Sequence, residues 1–460
     1  MKNITSSIGV ALSEFNSEWS SDRLAVLFAE NKEMNTECKV RHALQFKFGT
    51  IIPKPETMVD NSLVETWKKY TIVHPDDIMV NGLNLNYDFI TSRIGLVKED
   101  GIITSAYISL RPREGVNSKF YNYYFKALDA RKVFHGIGTG IRRTLSYKEL
   151  KNVILPIPTN EEQSQIVRYL DWKVSGINQL VATKRKQIKV LQEQEKRVIS
   201  DSVLHGLHNE PLKDSNNRWI GKIPVSWKMI KLGKFCSFQN GISESGDFFT
   251  SGTPFVGYGD VYRHLELPEE VHGVAKSNAQ QQEVFSVKEG DIFFTRTSEN
   301  IEEVGMAAVC KHTIDKAVFS GFVIRCRPRT AIVDTDYMKY YLQIPAIRNH
   351  FSSMMNIVIR ASLGQNLLKQ MPVVIPPIDE QRKIAEYLDI EHAKYLYLIS
   401  TIQKEIDALQ ELKTCLISDV VTGKIDVRDI EIPEYEFVDE EAYSESDGDE
   451  KSDESDAQED

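Results

Sequence analysis

Three arginines lie in segments where a positive charge could approach the phosphates of a nucleic acid. Arg142 and Arg143 end the segment GIGTGIRR, residues 136–143, and Arg360 stands 218 positions after Arg142. Glycines let the backbone come close to a phosphate, and a guanidinium can also donate two hydrogen bonds to one guanine. We therefore expect Arg142, Arg143 and Arg360 to contact DNA. The alternative is that each arginine pairs with a carboxylate and tethers its loop.

Two other segments combine a cation with hydroxyl groups. Thr295 and Arg296 lie in TRTS, residues 295–298, and Arg93 lies in TSRIG, residues 91–95. Hydroxyl and guanidinium groups both donate hydrogen bonds to phosphate oxygens. Arg93, Thr295 and Arg296 therefore complete the set of candidates for DNA contact, again with a structural role as the alternative.

The sequence lacks the motifs of catalysis. It contains no phosphate-cradling G-x-x-x-x-G-K-[ST], no N-P-P-Y or D-P-P-Y methyltransferase tetrapeptide and no nuclease-like cluster of carboxylates. His205 and His208 lack further metal-ligand partners, so we expect surface histidines, no metal site and no catalytic residue. We interpret the Glu-Gln pairs at 162–163 and 380–381 as helix caps and hydrogen-bonding groups rather than as general acids or bases.

One sequence pattern occurs twice in this chain. Residues 156–171 are PIPTNEEQSQIVRYLD and residues 374–389 are VIPPIDEQRKIAEYLD, so a constant offset of 218 aligns the E-Q pairs and the Y-L-D triplets. The offset also aligns the I-S-D triplets at 199–201 and 417–419. A repeat of this length in two copies indicates a duplicated module rather than a solenoid, and it predicts a pseudo-twofold molecule.

Each copy of the pattern begins a predicted long helix. Thr159 and Glu162 form a T-x-x-E capping box at the first start. Pro377 replaces the threonine in the second copy, where we expect Asp379 to provide the cap. A helix of about 45 residues would be roughly 65 Å long.

Both helices carry mainly apolar residues at heptad positions a and d, which is typical of a coiled coil. In the first helix these positions hold Leu170, Val174, Ile177, Val181, Lys184, Ile188, Leu191, Glu195, Val198 and Ser202. In the second they hold Leu388, His392, Tyr395, Ile399, Ile402, Ile406, Leu409, Lys413, Leu416 and Val420. Gly206 and Gly423 stand where the helices should stop. Two such helices in one chain most simply pair with each other, and the twofold repeat predicts that they pair antiparallel.

The segments that precede the helices predict two mixed domains with a shared plan. Residues 1–150 and 211–370 both contain short β-rich runs that end in an R-P dipeptide. Each dipeptide is followed by an aromatic helical stretch, FYNYYF at 120–125 or YMKYYL at 337–342. We expect these aromatic side chains to form domain cores rather than to stack on bases.

Length and cysteine use limit the class of protein. A chain of 460 residues is too long for a single core and predicts several domains. It has no run of about 18 apolar residues that could span a membrane, and its first residues lack the apolar core of a signal peptide. The five cysteines are scattered and never in C-x-x-C spacing. Free thiols are typical of a reducing compartment, so we expect a cytoplasmic protein without membrane contact.

The net charge of −10 is unevenly distributed. Residues 431–460 hold 15 acidic residues against one lysine, which leaves +4 for residues 1–430. A mildly basic body permits nucleic-acid binding. The acidic segment has little to bury and much self-repulsion, so we expect a disordered tail that either solvates the protein or mimics DNA.

The doubled E-Q-x-x-I-x-x-Y-L-D pattern at the start of a long helix resembles the specificity subunit of type I restriction–modification enzymes. WIGKIPVSW at 219–227 resembles the usual opening of a target recognition domain in that family, and KEGDIFFTR at 288–296 resembles its G-D-hydrophobic strand motif. The resemblance covers residues 15–428 and excludes the acidic tail. The N-terminal domain departs from the family by lacking a W-I-G-x-I-P opening.

The resemblance implies a prokaryotic, non-catalytic subunit that recognises an asymmetric, bipartite site in double-stranded DNA. Each globular domain would bind one half-site, and the helices would carry two modification (methyltransferase) subunits and the restriction (translocase and nuclease) subunits. This chain would hold no cofactor. S-adenosylmethionine, ATP and Mg would be bound by the partner subunits.

We therefore expect an α+β fold with two α/β target recognition domains, two long antiparallel coiled-coil helices and a pseudo-twofold internal repeat. The expected boundaries are 1–155 for recognition domain 1, 156–210 for the first helical spacer, 211–373 for recognition domain 2, 374–430 for the second spacer and 431–460 for the tail.

Two other function classes remain open. A self-contained DNA methyltransferase or nuclease would need a cofactor fold, for which both repeats leave little room. A protein-binding adaptor would use the globular domains to bind protein. The target sequence and its spacer length are not encoded in any motif of the chain.

Overall fold

The computed structural model describes residues 15–47, 49–55, 63–85, 92–138, 140, 143–244, 246–298, 303–353 and 361–438. The chain divides into two compact units, one formed by Met1–Arg185 with Gln403–Asp460 and the other by Lys186–Ile402. In the part of the chain that is described, no helix is long and apolar enough to cross a membrane.

The first unit contains the elements up to the start of a long helix. They are β1 (Ser20–Arg23), α1 (Leu24–Leu27), β2 (Phe28–Glu30), β3 (Leu44–Lys47), β4 (Thr50–Pro53), α2 (Val64–Trp67), β5 (Thr71–Val73), β6 (Ile78–Val80), β7 (Ile94–Leu96), β8 (Gly101–Ile103), β9 (Ile108–Pro112), α3 (Ser118–Ala130), α4 (Val133–Ile137), α5 (Tyr147–Leu150), β10 (Ile154–Ile157) and α6 (Asn160–His205). Helix α6 begins in this unit and ends in the other.

The second unit contains the elements between the two long helices and the start of the second long helix, which ends in the first unit. They are β11 (Leu212–Asp214), β12 (Lys222–Pro224), β13 (Lys228–Lys231), β14 (Cys236–Asn240), β15 (Thr253–Val256), α7 (Tyr258–Tyr262), β16 (Gly273–Ala275), α8 (Ala279–Val284), β17 (Ile292–Thr295), β18 (Thr297–Ser298), β19 (Ala307–Val309), β20 (Val318–Phe319), β21 (Val323–Pro328), α9 (Thr335–Tyr341), α10 (Pro345–Ser352), β22 (Ala361–Ser362), α11 (Gln365–Gln370), β23 (Pro372–Ile375) and α12 (Ile378–Val421). Short 3₁₀ helices span Leu232–Lys234 and Gly246–Phe249.

A four-stranded antiparallel sheet lies at the centre of each unit. The strand order is β2-β9-β6-β7 in the first unit and β14-β21-β17-β19 in the second. Ile78 lies opposite Leu110, and Ile292 lies opposite Cys326, in the corresponding central pairs. The repeat in the sequence is therefore also a repeat of sheet topology.

The predicted aromatic cores are confirmed. Phe120, Tyr121, Tyr124 and Phe125 of α3 are buried in the first unit, and Tyr337, Tyr340 and Tyr341 of α9 are buried in the second. Two of their hydroxyls make buried hydrogen bonds: Tyr121 donates to the Pro156 carbonyl, and Tyr341 donates to the Pro372 carbonyl. These contacts fix the aromatic helix against the strand that precedes each long helix.

The two long helices run antiparallel in each unit. In the first unit Leu170 shares a buried cluster with Val420, and Lys184 Nζ lies 2.6 Å from Glu405 Oε2. In the second unit His392 Nδ1 lies 2.6 Å from Glu195 Oε1. Polar residues at heptad positions are thus paired rather than buried alone. The α+β fold class with two α/β domains and two long antiparallel helices is confirmed.

The helix ends agree with the sequence pattern at three of four points. The Glu162 amide donates to Thr159 Oγ1 at 3.2 Å and the Thr159 amide donates to Glu162 Oε2 at 3.0 Å, which is the predicted capping box. Gly206 and Gly423 have φ of 80° and 73°, the left-handed values expected of a C-terminal glycine. The predicted cap by Asp379 is wrong, because α12 already begins at Ile378.

The C-terminal segment is ordered further than the acidic composition suggested. Residues 431–438 were expected in the disordered tail, but Ser175 and Asn178 of α6 hold the backbone of Glu436 and Val438 by hydrogen bonds. The apolar residues among the acidic ones explain the difference, because Ile432 packs against the core of the first unit. Residues 439–460 lie outside the described residues, and the other domain boundaries stay predictions.

Candidate nucleic-acid interface

A repeated ion pair anchors the central sheet of each unit. Asp291 is fully buried and accepts from Arg327, with Nε at 2.6 Å and Nη2 at 2.7 Å. Asp77 accepts from Arg111 in the same way, at 3.2 and 3.0 Å. Both arginines belong to the R-P dipeptides. Their conserved geometry within the repeat assigns them to the scaffold rather than to DNA.

Arg93 is not available to DNA. Its side chain is buried, and its guanidinium donates to the carbonyls of Asn81 at 3.3 Å and Leu83 at 2.7 Å. The Arg93 amide also donates to Asp129 Oδ2. These bonds favour the structural role that was the alternative for Arg93, because an arginine that satisfies buried carbonyls cannot leave without orphaning them.

Thr295 is likewise structural. The residue is fully buried, and its hydroxyl donates to the Glu303 carbonyl at 2.6 Å while accepting from the Met306 amide at 2.9 Å. These bonds tie the end of β17 to the residues just before β19. They favour the structural role that was the alternative for Thr295, whereas its neighbour Arg296 is placed differently.

The glycine-rich candidates are only partly described. Arg142 and Arg360 lie outside the described residues, so their predicted contacts stay predictions. Arg143 is exposed, and its Nη1 donates to the His135 carbonyl at 3.2 Å. Among the described residues this is the one hydrogen bond of the Arg143 side chain, and its exposed position allows the other donors to reach a phosphate.

Arg296 lies at the edge of the second sheet where β14 and β17 end and β21 begins. It follows β17 directly, its amide donates to the Phe322 carbonyl at 2.8 Å, and its carbonyl accepts from the Leu363 amide at 2.7 Å. Its half-buried guanidinium donates to the Gly321 carbonyl at 3.3 Å. The backbone is thus fixed on both sides while the end of the side chain is near the surface.

The residues beside Arg296 have the chemistry of base recognition. Asn240 ends β14 and accepts from Gln365 Nε2 at 2.9 Å, and both side chains are half-buried. Phe322 is 59% exposed. Arginine pairs with guanine, asparagine and glutamine pair with adenine, and an apolar ring contacts the thymine methyl. We call Arg296, Asn240, Gln365 and Phe322 the Arg296 cluster.

The first unit holds a glycine at the position of Arg296. Gly82 lies five residues after Asp77, as Arg296 lies five after Asp291, and the Gly82 carbonyl accepts from the Leu145 amide at 2.9 Å. A Cβ at Gly82 would lie 2.3 Å from the Leu145 carbonyl oxygen. Sequence inspection missed this equivalence, which aligning the two P-D-D and E-G-D turns would have found.

The repeated Glu-Gln pairs are structural, as predicted. Trp19 Nε1 donates to Glu162 Oε1 at 3.3 Å, and Trp227 Nε1 donates to Glu380 Oε2 at 3.0 Å. Gln163 and Gln381 donate to the carbonyls of Pro158 and Pro376. Burial alone would raise the pKa of Glu162, but hydrogen bonds from Thr159 and Trp19 outweigh burial and hold that pKa below its usual value.

The repeated aspartates of the Y-L-D triplets tie the aromatic helices to the long helices. Tyr123 donates to Asp171 Oδ1 at 2.8 Å, and Tyr340 donates to Asp389 Oδ1 at 2.7 Å. Lys339 also donates to Asp389 at 2.7 Å. Burial opposes ionisation of Asp389, but the Lys339 and Tyr340 bonds lower its pKa below the usual value.

A lysine-lined cavity of about 920 Å³ lies in the first unit. Its cations are Lys98, Lys119, Lys126, Lys132 and Lys413, and its carboxylates are Asp129 and Asp171. Burial raises the pKa of Asp129, although the hydrogen bond from the Arg93 amide and the nearby cations oppose that rise. Tyr435 and Phe437 of the C-terminal segment line the same cavity. The excess of lysines suits a polyanion.

Comparison with known proteins assigns the family. The model of the type I restriction modification DNA specificity domain matches residues 84–190 and 224–408, which together exceed half of the chain. The chain belongs to this family. The two matches correspond to the two copies of the internal repeat, and they confirm the resemblance carried by the doubled E-Q-x-x-I-x-x-Y-L-D pattern.

Curated relatives are specificity subunits of similar length. The MjaVIII specificity subunit of Methanocaldococcus jannaschii is 24% identical over 384 residues, which are 81% of this chain and 84% of that protein. The MjaX specificity subunit of the same organism is described as putative in its own name and is 23% identical over 69% of this chain and 71% of its own.

A solved structure shares the fold. It was reported under the heading of complex assembly and conformational transition of the type I R-M system, and it has a TM-score of 0.62 at 14% identity. It covers 89% of this chain and 99% of its own. At this identity the likeness establishes the arrangement of elements and leaves the contacts of individual side chains to the geometry described above.

Proposed function

We propose that this protein is the DNA-recognition subunit of a type I restriction–modification complex and that its two domains bind the two parts of a bipartite duplex site. The duplicated domain carries this proposal. Two copies of one sheet, each with its own side chains at the strand ends, provide two related but unequal binding surfaces. Membership of the DNA specificity family supports the non-catalytic role.

The difference between Arg296 and Gly82 supports unequal recognition by the two domains. At the same backbone position, the second domain offers a guanidinium and the first offers only a carbonyl, already bonded to Leu145. An arginine can donate two bonds to guanine in the major groove, whereas glycine cannot select a base. The two half-sites should therefore differ in sequence.

The long helices are the proposed docking surface for two modification subunits. Tyr387, Ile390, Leu396 and Tyr397 of α12 are 38%, 68%, 53% and 70% exposed. Large apolar residues in one exposed stretch of helix are typical of a protein interface. The restriction subunits complete the proposed complex. S-adenosylmethionine, ATP and Mg are assigned to the partner subunits in this proposal.

Footprinting of the reconstituted complex tests the proposal. The chain should be combined with its modification subunits and bound to fragments that carry the methylated site of the source cell. Protection of two short segments separated by an unprotected spacer is the expected result. A single continuous footprint, or none, would contradict bipartite recognition and favour the protein-binding adaptor.

The self-contained enzyme requires a separate experiment. The isolated chain should be titrated with S-adenosylmethionine, with the complete complex as the positive control. We expect binding by the complex and none by the isolated chain. Tight binding by the isolated chain would place the methyltransferase activity in this protein.

A further inference from the structure

The C-terminal segment, residues 430–438, lies along one face of the first long helix, α6. We call the face of α6 that carries Trp172, Ser175 and Asn178 a track. Ser175 Oγ donates to the Glu436 carbonyl at 2.9 Å and accepts from the Val438 amide at 2.7 Å. Asn178 Nδ2 donates to the Val438 carbonyl at 3.2 Å. Side chains of α6 thus satisfy backbone groups of the segment as a neighbouring strand would.

The start of the same segment is held from further back on α6. Gln165 Nε2 donates to the carbonyls of Val427 and Ile430 at 3.0 and 2.7 Å. Ile430 and Ile432 pack against the core of the first unit, as does Trp172 of α6. Ser175 is 2% exposed and Asn178 is 8% exposed. Asn178 also accepts from Lys413 Nζ of α12 at 3.4 Å.

The internal repeat identifies the matching track on the second long helix. The offset of 218 takes Trp172 to Ile390, Ser175 to Ala393 and Asn178 to Leu396. In the described part of the second unit this track is open: Ile390 is 68% exposed, Leu396 is 53% exposed, and Ala393 is exposed. One face of the repeat is therefore covered by this chain and its equivalent is not.

The two tracks differ in the polarity of their side chains. Ser175 and Asn178 are hydrogen-bonding groups suited to an extended backbone, whereas Ala393 and Leu396 are apolar and can bond to none. The open track is suited to apolar side chains of a folded partner whose backbone bonds are already made. Helix α12 therefore offers no equivalent binding surface for residues 430–438.

We propose that residues 430–438 occupy in cis one of two equivalent docking faces, so that the second modification subunit must displace them while the first binds the open track on α12. The inference rests on the proposed function, in which modification subunits dock on the long helices. It makes the segment a built-in competitor, and the two subunits bind with unequal affinity.

A labelling experiment tests whether the face is covered without using a partner. Asn178→Cys and Leu396→Cys would be introduced separately in a full-length chain whose two non-buried cysteines, Cys38 and Cys415, are replaced by serine. A maleimide should react at position 178 at least about tenfold more slowly than at position 396, since local opening must precede reaction at a covered site. Equal rates would overturn the cis occupancy.

Two truncations then test the competition. A chain that ends at Ile432 keeps Ile430 and Ile432 in the core but loses the residues that bond to Ser175 and Asn178. A chain that ends at Val438 is the matched control, since it loses only residues 439–460 and keeps the segment. Both would be titrated with the modification subunit beside the full-length chain, after their thermal melting has been compared.

The expected result is two unequal sites in the full-length chain and in the Val438 control, differing by about tenfold or more, and a clearly smaller difference between the two sites in the Ile432 form. Three hydrogen bonds of ordinary strength are enough for such a difference. Equal sites in the full-length chain, or an unchanged ratio of the two affinities in the Ile432 form, would overturn the inference alone. Absence of any binding would overturn the proposed docking and the inference together.

Discussion

Positions 296 and 82 show how a fixed backbone can carry different side chains. In both sheets the carbonyl at this position accepts from a leucine amide, Leu363 or Leu145, so the hydrogen bond does not depend on the side chain. The second domain can therefore exchange Arg296 without disturbing the sheet. The first domain cannot, because the Leu145 carbonyl occupies the space that a Cβ at Gly82 would need.

Arg296→Ala should weaken binding to the second domain's half-site by about 1–3 kcal/mol and leave the first half-site unaffected, because a guanidinium pair with one base is lost. Competition binding of the reconstituted complex with fragments altered in one half-site measures this. Arg143→Ala, which removes a predicted DNA contact from the other domain, is the reciprocal variant. Equal loss at both half-sites would point to a folding defect.

Glu162→Gln should remove part of the acid sensitivity of the first unit. The pKa of Glu162 lies below its usual value, so the carboxylate stabilises the folded state above the ordinary glutamate pKa, and this stabilisation is lost as the pH falls through the lower folded value. We expect a difference of about 1 kcal/mol between neutral pH and about pH 3. Urea unfolding at several pH values, followed by tryptophan fluorescence, measures it.

Glu161→Gln is the control for this pH dependence. Glu161 precedes Glu162 on the same helix and is exposed. Its replacement removes the same formal charge without removing the bonds to Thr159 and Trp19. If both variants lose the same stability, the effect comes from net charge and not from the capping box.

At the scale of elements, the two long helices are the proposed ruler of the complex. Helix α6 has 46 residues, which at about 1.5 Å per residue is roughly 69 Å. Its polar heptad residues meet polar partners on α12, as Lys184 meets Glu405 and Glu195 meets His392. Such pairs fix the register of the two helices.

Inserting one heptad into α6 should lengthen the spacer between the half-sites and leave the half-site sequences unchanged. Seven residues add roughly 10 Å, the rise of about three base pairs. Mapping of methylated adenines in cells that carry the variant measures the spacing. Insertion of the same heptad into both helices is the control that keeps Lys184 and Glu405 in register, and an unchanged spacer in that form would contradict the ruler.

The elements could be predicted from sequence because their signals are local and periodic. Heptads, the Thr159 capping box and the C-terminal glycines each depend on residues within a few turns of one another. Arg93 and Thr295 could not be predicted, since their burial depends on carbonyls of other loops. The Arg296 cluster could not be predicted from sequence either, because only the tertiary structure brings Asn240 and Gln365 to one strand end.

At the scale of the whole molecule, charge is divided between a basic body and an acidic end. Residues 439–460 carry 12 acidic residues and one lysine, and they follow a segment whose Tyr435 and Phe437 line the lysine-rich cavity. Removing a block of negative charge raises the attraction of the remaining chain for any polyanion.

A chain that ends at Val438 should therefore bind unrelated duplex DNA more tightly than the full-length chain at low salt. The gain should shrink at high salt because the attraction is screened. Filter binding at two salt concentrations measures it, with affinity for the specific site as a reference. An unchanged non-specific affinity would favour a tail that only solvates the protein.

The partition of the chain has a consequence for its synthesis. The second unit is one continuous stretch, Lys186–Ile402, but the first needs Ile417, Val420 and Val421 from the end of α12 to close its core around Leu170. On the ribosome the N-terminal half therefore emerges first and is completed last. Until residue 421 has been made, the apolar face of α6 around Leu170 is exposed. A prematurely terminated chain is therefore a natural substrate for chaperones and proteases.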